Sequence, residues 1–270
     1  TPLANPAKVN ALIAENNFLE TDAKFSSFGT GLNQRNPFYE VQIVSLGDVN
    51  NVASHSLFQF YNLNEDPRLK SVYRPNTATV PAYVSIAQGT GDTFNITAVN
   101  YSRPNIKADT PVYLMTVAES NFLQAEALIR YAAGAGAKAK YDAGVNASFV
   151  GYGLTTSLAT PLLASGGAYE YKVGANTEAT LRQVIVQKWA SLAYINNIES
   201  YIETTRTKFP EVVTATSANY AIGNRVPSAV SILPGNTVPS ILFYPDSELD
   251  RNPNIKQHTS LTQKVWWDKK

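Results

Sequence analysis

The chain has no cysteine, which removes disulfide bridges, thiolate metal sites and a thiol nucleophile from consideration. Histidine is almost as scarce. His55 and His258 are the only two and stand far apart in sequence, so a multi-histidine zinc centre is excluded and a Ser-His-Asp triad would have to use one of them. Clustered positive charge is also missing. No lysine or arginine run is longer than the terminal Lys269-Lys270 pair and the formal net charge is +1, so no nucleic-acid partner is expected. No apolar stretch approaches the roughly 18 residues of a membrane-spanning helix. Thr1-Pro2 is not the start of a signal peptide, and with no initiating methionine the sequence reads as a processed or truncated chain.

What is present is an ordinary globular composition. With 44% hydrophobic and 16% charged residues in 270, the chain can bury a sizeable core without staples, in one or two domains. Residues 5–16 predict a helix with Asn5 as cap, Pro6 at its first position and Val9, Leu12 and Ile13 facing inward. From 18 to 109 the periodicity stops, and turn dipeptides such as Asn36-Pro37, Asp66-Pro67 and Arg103-Pro104 punctuate a long irregular region. When so long a region is ordered it is commonly a binding surface.

Helical periodicity returns over 111–131, with Thr110 as the expected N-cap, Pro111 at the first position, and Leu114, Val117, Ala118, Leu128 and Ile129 forming an apolar stripe. A second helix over 136–149 aligns Tyr141, Val145, Ser148 and Phe149. A third begins near Asn176-Thr177 with Leu181, Val184, Ile185, Lys188, Trp189 and Leu192 on one side. Asn196-Asn197 breaks it, and a fourth over 198–207 carries Ile198, Tyr201, Ile202 and Thr205 until Phe209-Pro210. These make two antiparallel helix pairs, the unit of stacked helical repeats.

Glu119 and Glu126 lie seven positions apart on the 111–131 helix and so share a face. A glycosidase frames its bond with two carboxyls roughly 5–9.5 Å apart across a cleft, which neighbouring turns of one helix do not do. Glu126, between two alanines, reads instead as a buried structural anchor. Asp66-Pro67-Arg68 reads as a turn in which the aspartate bonds the backbone. Asp48, Asp92 and Asp109 lack calcium-loop spacing, and neither a metal nor a cofactor is expected.

Sugar sites set flat aromatic rings among a few polar side chains. The irregular region offers Phe58, Phe60, Tyr61, Tyr73, Tyr83, Phe94 and Tyr101, with Asn62, Arg74, Asn76 and Asn100 among them. Tyr73, Tyr83 and Tyr101 are the least embedded in apolar sequence. They are the ligand candidates, with Arg74, Asn76 and Asn100 as polar partners. Trp189 reads as core, and Trp266-Trp267 as a terminal clasp.

Several stretches, in order, resemble a known family: Arg35-Asn36-Pro37-Phe38-Tyr39, Asp66-Pro67-Arg68-Leu69, Ala125-Glu126-Ala127, Tyr141-Asp142-Ala143-Gly144-Val145-Asn146-Ala147-Ser148, Gln187-Lys188-Trp189, Arg206-Thr207 with Phe209-Pro210, and Tyr244-Pro245 with Glu248 and Asn252. Together they are similar to the SusD/RagB outer-membrane nutrient-binding lipoproteins of Bacteroidetes, in the starch-binding-associated branch. The resemblance implies a mainly α fold of tetratricopeptide-like helix pairs with long irregular loops and a few short strands. It implies one SusD-like domain portion over 1–270: a ligand-binding region at 18–109, helix pairs at 110–210 and an irregular wrap at 211–270. It gives Arg206 a structural role and places Tyr201 where tryptophan is expected.

The implied function is non-catalytic. An oligosaccharide is captured at the cell surface and delivered to a SusC-like TonB-dependent transporter, with peptide as the alternative cargo. Family members are longer, with a signal peptide, a lipid-anchoring cysteine and further helices, so the resemblance covers the C-terminal portion. Such a portion should expose an apolar face on helix 5–16 or 111–131. A protein-binding helical scaffold is the rival that the aromatic, Asn-rich region disfavours. A glycoside hydrolase is disfavoured by the missing carboxylate cleft.

Overall fold

The computed structural model describes residues 5–48, 50–90, 97–213, 220–228, 230–234, 237–268 and 270; Asp92 and Phe94 lie outside them. The first helix, α1 (Pro6–Glu15), forms where the cap signals place it: Asn5 accepts a hydrogen bond from the Lys8 backbone N–H and Pro6 occupies the first turn. It packs mainly on the long helix α5 described below, which leaves much of its apolar stripe uncovered. None of its residues is buried, and Leu12, expected to face inward, is 49% exposed.

The 18–109 region holds more regular structure than its composition suggests. It contains β1 (Ala23–Phe25), α2 (Pro37–Tyr39) running on into a π-helical turn over Glu40–Ser45, α3 (His55–Leu63), α4 (Arg68–Val72), β2 (Tyr73–Arg74) and β3 (Arg103–Pro104). The aromatics of α3 are core. Phe58, Phe60 and Tyr61 are buried, and the Tyr61 hydroxyl donates to the Ala190 carbonyl across 2.6 Å.

Next, residues predicted to start a helix form a strand instead. β4 (Val112–Met115) pairs antiparallel with β1, and α5 (Val117–Tyr131) begins after it. The proline signal at 111 competes with a stronger one five residues on: Thr116, at the head of a Thr-x-x-Glu sequence, caps the helix by accepting from the Glu119 N–H across 3.0 Å. The pleat then turns Leu114, assigned by periodicity to the buried stripe, outward at 73% exposure.

α5 packs antiparallel on α6 (Ala137–Gly151), where Tyr141, Val145, Ser148 and Phe149 are all buried, as the periodicity predicts. Gly144 permits the close approach: a Cβ there would lie 2.7 Å from the Phe122 ring. After the short α7 (Thr160–Leu163), α8 (Thr177–Ser191) packs on the other side of α5 and α9 (Asn197–Thr207) packs on α8. α10 (Asp246–Arg251) lies in the C-terminal wrap. α9 departs from expectation: of the residues read together, Thr205 is buried, but Ile198 is 75% exposed and Tyr201 and Ile202 are also exposed, while Glu203, Thr204 and Thr207 are buried. Its buried side is polar because it faces charge.

Two buried polar clusters tie these layers together. In the first, Asp66 both accepts from the Arg68 backbone N–H, closing the expected turn, and pairs with the Arg68 guanidinium at 2.7 Å. Arg68 is wholly buried, donates to Ser148 of α6 and Gln187 of α8, and lies over the Phe149 ring. Tyr169 donates to the same aspartate across 2.5 Å. In the second, Lys188 of α8 sits within 3.1–3.5 Å of Glu119, Glu199 and Glu203. Arg206 then links Glu203 to Glu126. Such groups tolerate burial because each charge meets an opposite one with hydrogen bonds.

Candidate functional site

The residues singled out for ligand binding are not assembled into one open platform. Tyr73 is 2% exposed, its ring packed against Phe58 and Tyr194, so it is a core side chain rather than a ligand surface. Its position follows α4, whose Leu69 and Val72 are also in the core. Asn76 is buried and organises its own loop, accepting from the Ala82 N–H and donating to the Asn100 carbonyl. Arg74 reaches Asp48 at 2.6 Å and the Pro104 carbonyl at 3.0 Å. Tyr83 is half-buried against the core, Tyr101 is half-buried, and Asn100 is exposed. Glu126, Trp189 and Arg206 lie in the helical framework: Trp189 packs edge-on against Phe60, and Arg206 grips Glu126.

A cleft of about 420 Å³ does open at Tyr194, whose ring meets that of Tyr73 edge-on. Its walls come from six places in the chain, and four of them are set by local chemistry as follows. Asn36 caps α2, its Oδ1 accepting from the Phe38 and Tyr39 N–H groups while its Nδ2 donates to the Thr110 carbonyl across 2.7 Å. That double use holds Phe38 at the rim. The β4 strand supplies Tyr113, over whose ring the Lys24 ammonium lies 5.4 Å from the centroid. Tyr152, just past the end of α6, directs its hydroxyl to carbonyls at and just past the C-terminus of α8, Ser191 at 3.1 Å and Ala193 at 2.9 Å. Tyr194 stands at positive φ in the turn between α8 and α9.

The phenols of Tyr152 and Tyr194 are therefore spoken for. Burial raises the pKa of Tyr152 and Tyr113, and raises that of Tyr194 to about 12, with a hydrogen bond to Tyr73 acting in the opposite direction on Tyr194. All three stay neutral near pH 7. What the cleft offers is ring surface together with carboxamides. Asn105 spends its Nδ2 on the Ser71 carbonyl, leaving Oδ1 as an acceptor, and Asn197 spends its Oδ1 on the Tyr194 N–H, leaving Nδ2 as a donor.

Among the described residues, those lining this cleft include no aspartate, glutamate, histidine, lysine or arginine. The cleft holds neither a general acid nor a nucleophile of the carboxylate kind, and nothing in its walls would favour a charged ligand. Elsewhere among the described residues, no cluster of histidine, aspartate and glutamate is arranged to hold a metal ion, and no helix is long and apolar enough to cross a membrane.

Sequence reasoning missed this cleft because most of its residues sit at element ends rather than in the loop-rich region. The signals available were tyrosines at helix breaks, Tyr152 before Gly153 and Tyr194 before Asn196-Asn197. Asn36 and Phe38 were visible in the Arg-Asn-Pro-Phe-Tyr stretch.

Residues 4–230 match the model of a SusD-like family described as "Starch-binding associating with outer membrane". Similar solved structures include a SusD homologue from Bacteroides uniformis, 24% identical, which covers 98% of this chain and 61% of its own with a TM-score of 0.75. A SusD homologue from Bacteroides vulgatus is 22% identical, with 98% and 58% covered and a TM-score of 0.70. A chitin-binding protein is 21% identical, with 96% and 58% covered and a TM-score of 0.67. The chain thus spans about three-fifths of the length of these structures. No curated protein matches.

Proposed function

We propose, from the premise that this chain belongs to the SusD-like family of starch-binding proteins associated with the outer membrane, that it is a non-catalytic glycan-binding protein whose cleft between β4, α2 and the ends of α6 and α8 holds a neutral oligosaccharide. The observation that carries the reading is the composition of that cleft: rings from Phe38, Tyr113, Tyr152 and Tyr194, free halves of two carboxamides, and no charged wall. Flat rings match the apolar faces of pyranoses, while the Asn105 acceptor and the Asn197 donor match their hydroxyls. A volume of 420 Å³ lies within the about 300–1,000 Å³ typical of small-molecule sites.

The ligand is then passed to a SusC-like TonB-dependent transporter, and the protein is held at the outer-membrane surface by a lipid anchor outside this chain. Tyr83, Asn100 and Tyr101 remain candidates for a second contact with a longer glycan. A panel of malto-oligosaccharides, chito-oligosaccharides and neutral peptides, titrated by calorimetry and followed for released reducing ends, tests the reading. Saturable binding of a glycan without reducing-end release supports it; peptide binding alone, or turnover, overturns it.

A further inference from the structure

A second cleft, of about 380 Å³, lies between α9 and the C-terminal wrap and shares no lining residue with the first. Its chemistry is the reverse. Arg225 lines it, fixed at the backbone by reciprocal hydrogen bonds with Glu211 and Val213 and on its side chain by one bond, from Nε to the Pro210 carbonyl at 3.1 Å. The two Nη groups have no acceptor among the described residues. Arg68, Arg74, Arg130, Arg182 and Arg206 each face a carboxylate; among the described residues Arg225 faces none. The carboxylates nearest to it in the cleft wall are already taken, Glu211 by Arg182 and Asp268 by Lys208. Lys264 adds a second cation, donating to the Lys270 carbonyl.

The guanidinium is half-buried, and burial pulls the Arg225 pKa down to about 10, against a smaller opposing effect of Tyr201, so an opposite charge placed beside it would be favoured. A carboxylate docked on the Nη edge would supply the missing charge in the bidentate geometry that arginine favours. The hydroxyls alongside narrow the ligand further. Thr204 and Thr205 line the cleft and both donate to the Tyr201 carbonyl, at 2.8 and 3.2 Å, so what their oxygens have left to offer is acceptor capacity. A bare oxyanion, which needs donors, gains nothing from them, whereas a ligand with its own hydroxyls does.

We propose that this cleft binds a hydroxylated carboxylate, of the class of an acidic sugar residue, through Arg225 with Thr204 and Thr205 as acceptors. The site is separate from the neutral-glycan cleft, and its failure would leave that reading untouched. The test is titration of the 270-residue chain with glucuronate, glucose and inorganic sulfate, followed by NMR chemical-shift changes. The expected result is saturable binding of glucuronate, at least tenfold tighter than glucose or sulfate, weakened at least tenfold in Arg225→Gln and unchanged in Tyr113→Ala. Binding of sulfate as tight as that of glucuronate, or no binding of glucuronate to the wild-type chain, overturns the proposal. The ligand comparison needs no variant and so stands even if Arg225→Gln fails to fold.

Discussion

Arg206 of α9 holds Glu126 of α5 in a two-pronged grip, Nη1 to Oε1 at 2.8 Å and Nη2 to Oε2 at 2.6 Å, while its Nε reaches Glu203 one turn back on its own helix at 2.6 Å. The two helices are thus joined through charge rather than through the apolar side of α9, which points outward. Removing one partner orphans the others. Glu126→Ala is expected to destabilise the protein by about 2–4 kcal/mol and Arg206→Ala by a similar amount, with the double variant losing much less than the sum. Urea midpoints of the four proteins measure this; additive losses would show that the pair is not coupled.

The same pair predicts an acid profile. Burial alone would raise Glu126, but the hydrogen bonds and charges of Arg206 and Arg130 outweigh it and hold the pKa at about 2. A folded-state value below the unfolded one contributes stability that is complete above the ordinary carboxylate pKa near 4.5 and lost as pH falls toward 2. Glu119 has the opposite sign, because burial raises its pKa against the pull of Lys188, so its protonation favours the fold. The stability difference between wild type and Glu126→Gln should therefore be full at pH 7 and shrink between about pH 5 and 2. A difference that stays constant down to pH 2 would contradict the assignment.

Gly144 sets the distance between α5 and α6. An added Cβ would meet the buried Phe122 ring at 2.7 Å, closer than side-chain carbons come, and the ring has no open space to enter. Gly144→Ala should cost about 1–3 kcal/mol despite the better helix propensity of alanine. An increase in the thermal midpoint would mean that the ring moves aside freely.

Tyr73 separates a structural tyrosine from a ligand-binding one. Its phenol is hydrogen-bonded to Tyr194 and its ring lies in the core. Tyr73→Phe is expected to leave glycan affinity within about twofold while lowering stability by about 0.5–1.5 kcal/mol, the usual worth of one hydrogen bond. A large loss of binding with unchanged stability would return Tyr73 to the ligand surface.

Much of the helical framework was legible because its signals are local and periodic. The buried face of α6 follows from spacing, as does the burial of Leu181, Val184, Ile185 and Lys188 on α8, whereas Trp189 on the same stripe is only partly buried and α8 also buries Val186, Gln187 and Ala190 off it. Where two local signals competed, at Pro111 and at Thr116, spacing could not choose. The pairing of 112–115 with the distant 23–25 segment decided it. α9 misled for a related reason: its apolar residues suggested an inward face, but Lys188 and Glu126 on other helices draw its polar side in. The residues behind the family resemblance, among them Asp66, Arg68, Ser148, Gln187 and Arg206, proved to be the buried polar clusters. They identify the framework rather than the site. The cleft is assembled from segments as distant as Asn36 and Asn197, and a sequence shows such convergence only through the fold.

The central claim is that the uncharged aromatic cleft is where the ligand sits, and Tyr113→Ala tests it most directly. Tyr113 lies on the exposed β1–β4 ribbon, and only part of its ring is buried, so the fold should survive its loss. Calorimetric titration of wild type and variant with whichever neutral oligosaccharide binds should show at least a tenfold weaker dissociation constant for Tyr113→Ala, with the thermal midpoint shifted by no more than a few degrees. Unchanged glycan affinity in a folded Tyr113→Ala protein would place the ligand elsewhere and contradict the account.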